Sequence, residues 1–320
     1  IVISYFLFRL LSEHRQNKEE RRFILLGKMV GFFFVTVIFT GSLVAIQYLP
    51  VYDNLPNSVR GLTRGYKFAT SWAMGPEETF DLITPRFSGG LDHYWGRNPF
   101  KHHTEYLGIL PLILALAGII FCWRERITKF FFGLLIFTLL MAWGGHTPFY
   151  YLPYYLLPGI NKFRAPALIF FTSAFSIITL AGIGLKFLIN EVKDTKRISR
   201  FLIWVVSVGI GFLIITLIGQ SGIISLLSSI TRSDPNRISA NYSNFQTGMI
   251  IAVLLIIINS GLIRFLVKRK LKPFVFAIIV GLVLLIDSWL VVTKYIKPYP
   301  APNESFAADE VVNFLVKDTS

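Results

Sequence analysis

Seven long apolar runs divide this chain, near residues 29–49, 106–122, 130–146, 166–187, 201–220, 248–265 and 273–293, and a shorter one, IVISYFLFRLL, opens it. Roughly 20 consecutive apolar residues are what a helix needs to cross the hydrocarbon of a bilayer. The runs lack the period-two alternation of barrel strands, so the spanning elements are expected to be helices. The predicted fold class is all-α: a polytopic helical membrane protein with about eight transmembrane helices. Composition agrees, with 53% hydrophobic and 16% charged residues, where a soluble domain carries about a quarter charged, and with a mean hydropathy of +0.58.

The opening run, at about 11 residues, is too short to span and lacks the basic front and small-residue cleavage site of a signal peptide. The chain starts at Ile1 without Met and stops at Ser320 in mid-segment, so both ends are expected to be truncated. The single cysteine, Cys122, excludes an intramolecular disulfide framework and a cysteine metal site.

Lys and Arg set the expected orientation. Arg9, Arg15, Lys18, Arg21, Arg22 and Lys28 crowd one connector, and Arg124, Arg126 and Lys129 the next on that side. Lys193, Lys196, Arg197 and Arg200, then Arg264, Lys268, Arg269, Lys270 and Lys272, fill two more, and these four connectors are read as cytoplasmic. Connectors 50–105, 147–165, 221–247 and the tail from Lys294 are then outward. The net charge of +14 is thereby a topology signal and a contact with anionic membrane lipids, not a nucleic-acid surface. Residues 1–293 form the transmembrane domain on this reading, with its large outer loop at 50–105, and 294–320 begin an extracytoplasmic domain.

The polar chemistry gathers in Pro76 to Gly108, PEETFDLITPRFSGGLDHYWGRNPFKHHTEYLG. His93, His102, His103 and His146 all fall on the outward side. GLTRGYKFATSWAMG reads as a helix ending at Gly75 and Pro76, and Glu77, Glu78 and Asp81 sit where a second short helix starts. Acidic residues there also suit a helix dipole, so both a structural and a chemical role stay open. Asp81, Asp92 and Glu105 are candidate general bases for an acceptor hydroxyl. Tyr94 and Trp95, set among Asp92, His93 and Arg97, have the makeup of a carbohydrate or phosphate pocket, whereas the tyrosines of HTPFYYLPYYLLPG read as an interfacial belt.

His93, His102, His103, Asp92 and Glu105 are close in sequence, but adjacent histidines point apart in either regular structure. Their spacing matches no zinc pattern, so neither a metal nor another cofactor is expected. Asp287, about one turn below the outer end of the last run, calls for an Arg or His partner. Arg164 has the guanidinium fork that suits a lipid phosphate, or an interfacial anchor. Segment 221–247 has an apolar stripe and then a polar turn, and reads as a surface helix or a plain connector.

DLITPRFSGG, DHYWG, TEYLGILPLILAL, GGHTPFYYLPYYLLPGINKFRAPA and LLIDSWLVVTKYIKP together resemble the YfhO-type bacterial membrane proteins of the GT-C glycosyltransferase superfamily, over nearly the whole chain. The resemblance implies a bacterial cytoplasmic-membrane enzyme that moves a sugar from a polyprenyl-phosphate donor to an envelope glycan or lipid acceptor on the outer face. It implies a catalytic Asp in a first outer loop that would lie upstream of Ile1. Arg86, His93, Tyr94, Glu105, Tyr106 and Arg164 match positions recurring in the family's motifs. Substrate-binding candidates are therefore Arg86, His93, Tyr94, Trp95, His102, His103, Tyr106, His146, Arg164 and Asp287. A transporter or lipid flippase, which would place ionisable groups near the bilayer midplane, and a noncatalytic envelope assembly factor are the alternatives.

Overall fold

Each long apolar run becomes a helix, and the lengths of those helices separate spans from supporting pieces. The computed structural model describes residues 4–6, 8–9, 19–54, 57, 65–90, 93–98, 101, 103–157, 159–190, 192, 194–296, 301–302 and 307–317; in the first long helix, side chains are described from residue 27 onward. The helices are α1 (Glu19–Asp53), α2 (Tyr66–Ala69), α3 (Ile109–Phe121), α4 (Arg126–Ala142), α5 (Tyr151–Leu156) and α6 (Phe170–Asn190). They continue as α7 (Thr195–Ile218), α8 (Gln220–Thr231), α9 (Pro235–Val267), α10 (Pro273–Val292) and α11 (Glu310–Lys317). Among the described residues there is no strand. This is an all-α, polytopic helical membrane protein.

Among the described residues five helical segments are long and apolar enough to cross a membrane: Gly27–Asp53, Pro166–Asn190, Thr195–Ile218, Pro235–Val267 and Pro273–Val292. The expectation of about eight is reduced for identifiable reasons. α3 has 13 residues and α4 has 17; at about 1.5 Å per residue, α3 reaches roughly 20 Å of a ~30 Å hydrocarbon layer. Its start is delayed to Ile109 by Gly108, whose φ of 91° is open to glycine and strained for other residues. The opening run falls largely outside the described residues.

Helix association in lipid gains little from apolar burial, so close backbone approach and polar contacts must hold the bundle. α3 and α6 meet through Gly118 and Gly184: a Cβ on Gly118 would lie 2.4 Å from the Leu180 carbonyl oxygen, and one on Gly184 would lie 2.1 Å from that of Leu114. Thr138 Oγ1 on α4 is 2.8 Å from Ser173 Oγ on α6, a hydrogen bond inside the bundle. Large apolar side chains elsewhere face outward, among them Ile218 at 82% exposure and Phe274 at 77%, as a lipid-facing surface requires.

The 221–247 segment is neither a plain connector nor one surface helix. It divides at residues 232–234 into α8 and the first third of α9. α9 has 33 residues, about 50 Å of helix, so its beginning projects beyond a ~30 Å apolar layer. Asp234 caps it by accepting from the Asn236 amide at 2.9 Å. Ile238, Tyr242, Phe245 and Met249 then form one buried stripe at helical spacing in an otherwise polar stretch. That stripe supports the segment 65–108.

Candidate functional site

Segment 65–108 caps one end of the bundle, and most of it is irregular because its polar groups bond across to the helix ends. The helix expected over GLTRGYKFATSWAMG amounts to the four residues of α2, with 61–64 outside the described residues. The Met74 amide donates to the Ala142 carbonyl at 2.9 Å, and the Ala165 amide donates to that of Ser71 at 2.9 Å. Trp143 Nε1 donates to Thr79 Oγ1 at 3.0 Å. On the α9 side, Asn241 Nδ2 donates to the carbonyls of Arg86 and Phe87, each at 3.0 Å. Gly248 lets the segment lie directly on α9, since a Cβ there would fall 2.2 Å from Thr84 Oγ1.

Pro76–Leu82 is a 3₁₀ helix begun by Pro76. Three residues per turn eclipse positions i and i+3, which puts Glu78 and Asp81 on one side. Both meet Lys101: its Nζ lies 2.8 Å from Glu78 Oε2, 2.9 Å from Asp81 Oδ2 and 2.7 Å from Glu105 Oε2. All four side chains are buried, none more than 3% exposed. Tyr94 donates its hydroxyl to Glu78, and Ser88 donates its backbone amide and hydroxyl to Asp81. Burial opposes the Lys101 ammonium, but the carboxylates, led by Asp81, outweigh it and hold its pKa above the usual range. Three carboxylates exceed what one ammonium can balance. Burial accordingly raises Asp81 despite Lys101, and pushes Glu105 up to about 7.

Beside this closed cluster is an open cavity of about 360 Å³. Its walls come from the loop after the 3₁₀ helix (Arg86, Gly89, Gly90, His93), from Tyr106, from α9 (Asn241, Asn244, Gly248), and from α10 and its exit (Asp287, Lys294, Tyr295). Tyr106 donates its hydroxyl to Asp287, at 2.9 Å from Oδ1 and 2.8 Å from Oδ2, and this bond joins the start of α3 to the end of α10. Lys294 is held below the usual ammonium range, first by desolvation and then by the like charge of Arg86. Tyr295 belongs to the wall between the two regions: it lines the cavity, and its hydroxyl is raised by burial and by the charge of Asp81 and bonds with Thr104.

The sequence-predicted residues therefore separate into groups. Arg86, His93, Tyr106 and Asp287 line the cavity. Asp81, Glu105 and Tyr94 belong to the closed cluster, with exposed His103 at its edge, Nε2 lying 3.6 Å from Glu105 Oε1. Trp95 is 3% exposed, stands edge-on to Phe87 at 5.3 Å and donates Nε1 to the Phe87 carbonyl at 2.8 Å, so it offers no face to a sugar. His146 lies 3.3 Å from Arg97, whose guanidinium also pairs with Glu77 at 3.0 Å and donates to the Ile230 carbonyl at 3.1 Å. Desolvation, then Arg97, keeps His146 below the ordinary imidazole range.

Arg164 stacks on Trp72, 3.5 Å from the ring centre, and is absent from the cavity wall. Asp287 takes a tyrosine where an Arg or His partner was expected. Asp92 and His102 lie outside the described residues. Among the described residues no three His, Cys, Asp or Glu side chains are disposed to hold a metal ion, and in the acidic cluster Lys101 occupies the central place a cation would take.

Sequence reasoning passed over Lys101, Lys294 and Tyr295. Lys294 follows Asp287 by seven residues, and although α10 ends at Val292 both reach the cavity wall, so that spacing was a usable signal. Comparison with protein-family models, curated proteins and solved structures returns no match.

Proposed function

We propose that the cavity is the donor site of a membrane glycosyltransferase of the GT-C type, which takes a sugar from a polyprenyl-phosphate and passes it to an envelope glycan or lipid acceptor. The observation that carries this reading is that stretches far apart in sequence, each part of the YfhO-type resemblance, contribute to one cavity. Arg86 comes from DLITPRFSGG, His93 from DHYWG, Tyr106 from TEYLG, and Asp287 with Lys294 from LLIDSWLVVTKYIKP. On the charge-asymmetry reading this end of the bundle faces away from the cytoplasm, in a bacterial cytoplasmic membrane.

The chemistry is a direct displacement. The acceptor hydroxyl oxygen attacks the anomeric carbon as the bond from that carbon to the phosphate oxygen breaks. Arg86 and Lys294 neutralise the departing lipid phosphate, which leaves with the bond's electron pair. Within the cavity Asp287, held by Tyr106, is the carboxylate we assign to take the acceptor proton, in place of the upstream Asp that the family resemblance implies. Asp81 and Glu105, already bound to Lys101 behind the wall, support the loop. The sugar-phosphate bond supplies the driving force, in keeping with a sequence that has no P-loop or Gly-rich dinucleotide turn.

The full-length protein in membranes, given a panel of labelled polyprenyl-phosphate sugars, is expected to transfer label to an envelope glycan or lipid. Absence of transfer across the panel, with the protein verified as folded and inserted, would overturn the enzyme reading.

A further inference from the structure

A cationic corner stands apart from the cavity, where the turns between α4 and α6 meet residues 65–76. From Asn54 to Pro76 and from Arg126 to Asn190 the sequence contains no Asp or Glu. The fold brings these two acid-free stretches together. Tyr66 on α2 lies flat on Tyr151 of α5, with ring centres 4.1 Å apart and planes 4° from parallel, and α2 packs on the turn Ile160–Lys162. Lys67, Lys162 and Arg164 thereby share one corner, and none of the three is paired with a carboxylate among the described residues. Glu77, the next acid along the capping segment, is taken by Arg97 at 3.0 Å.

The backbone here holds Arg164 in place. Trp72, at φ 60°, and Ala165, at φ 64°, both turn through the left-handed region, which a side chain makes costly. The Ala165 amide donates to the Ser71 carbonyl at 2.9 Å and joins the two turns. Across that junction the Arg164 guanidinium lies over the Trp72 ring, 3.5 Å from its centre, and 5.9 Å from the centre of Phe68. Stacking covers a face of the guanidinium and leaves the N–H donors at its edge; no hydrogen bond or ion pair occupies them among the described residues. Position sets the depth. Arg164 comes two residues before the spanning segment Pro166–Asn190, whose first exposed side chains are Leu168 and Phe171. The fork of donors therefore stands at headgroup level, with lipid-facing apolar surface directly below it.

Cations at a membrane surface with no carboxylate to balance them attract acidic lipids, and a guanidinium fork matches phosphate oxygens. We propose that this corner binds one acidic phospholipid from the leaflet at this end of the bundle. Its phosphate meets the edge of Arg164, Lys67 and Lys162 lie beside the headgroup, and its acyl chains run along Leu168 and Phe171. The site is separate from the proposed donor cavity, whose walls include none of these residues.

The test uses the full chain in nanodiscs containing phosphatidylglycerol and phosphatidylcholine in equal amounts, followed by native mass spectrometry of the lipid retained after detergent release. Wild type is expected to retain phosphatidylglycerol in preference to phosphatidylcholine. K67Q/K162Q/R164Q is expected to lose at least about tenfold in that retention, three cations at roughly 1 kcal/mol each. K67R/K162R should keep it, as should K268Q/R269Q/K270Q, which removes as many cations from a connector at the opposite end. Equal retention of the two lipids by wild type, recovery of no lipid, undiminished retention by K67Q/K162Q/R164Q, or an equal loss in K268Q/R269Q/K270Q overturns the proposal. Should the first triple variant fail to insert, R164Q alone decides: it is expected to lose about fivefold, the share of one cation, and undiminished retention by R164Q overturns the proposal.

Discussion

Two charged constellations lie on either side of the wall that carries Tyr295, and they are built on opposite plans. In the Lys101 cluster every charge is buried and faces an opposite one, with Glu78, Asp81 and Glu105 all within 2.9 Å of one ammonium. In the neighbouring cavity the cations Arg86 and Lys294 line the wall with no ion pair among the described residues, and Asp287 is held by a neutral hydroxyl. The first arrangement already has its cation in place, whereas the second presents Arg86 and Lys294 to the open cavity, where an anionic ligand would meet them. Acidity and proximity in sequence therefore do not single out a reacting group. What matters is whether the fold has already supplied the partner.

The sharpest way to break this contrast is Lys101→Met. It leaves three buried carboxylates without their cation and should cost about 3–5 kcal/mol, the usual consequence of breaking a buried ion pair. Denaturant unfolding in nanodiscs measures this, and a loss below about 1 kcal/mol would show that the cluster is not structural. Asp287→Asn acts on the other side of the wall. It keeps the shape and the Tyr106 contact but removes the proton acceptor, so transfer should fall on the order of 100-fold with the melting temperature nearly unchanged; a stability loss with normal transfer would reverse the two roles.

Stability should also depend on pH. Glu105 has a folded pKa of about 7 against 4.5 as its ordinary value, so between those values the folded chain keeps a proton that the unfolded chain releases. Its contribution to stability is then fully present below about pH 4.5 and lost as pH rises through about 7, a change on the order of 1–3 kcal/mol. Melting curves at pH 5 and pH 8 in nanodiscs should differ in that direction, and Glu105→Gln should flatten the difference; an unchanged slope would show that Glu105 is not the titrating group. The smallest effect is expected from Trp95→Phe, which removes the indole bond to the Phe87 carbonyl and should cost about 1 kcal/mol of stability. Sugar dependence of transfer should not move; a raised KM for the donor would restore Trp95 as a contact to the sugar.

Much of this molecule could be read from its residues, because apolar length fixes spanning helices without reference to tertiary contacts. α6, α7, α9 and α10 follow directly from their runs. α3 and α4 were legible as helices but not as short ones, since the delayed start at Gly108 and the 3₁₀ turns after Ala142 depend on where segment 65–108 docks. At the candidate site, Arg86, His93, Tyr106 and Asp287 could be named singly. Their convergence could not, because it depends on α9 projecting far enough for Asn241 and Gly248 to seat the loop. Lys101 was hidden for a related reason: a lone lysine beside two histidines gives no sign that a 3₁₀ helix some twenty residues earlier will aim two carboxylates at it. Trp95 misled because an aromatic flanked by charges looks the same in sequence whether it faces a ligand or a core.

The most direct test of the open cavity as the site of chemistry is the transfer rate of R86Q/K294Q, measured with labelled polyprenyl-phosphate sugar in membranes beside wild type and with melting temperature recorded in parallel. Removing both cations should cut kcat/KM by at least about 100-fold, each charge-assisted contact to the phosphate being worth roughly 1.5–3 kcal/mol, while the fold stays intact because neither side chain supports the Lys101 cluster. Wild-type transfer by a folded R86Q/K294Q protein would contradict the account and move the reaction away from this cavity.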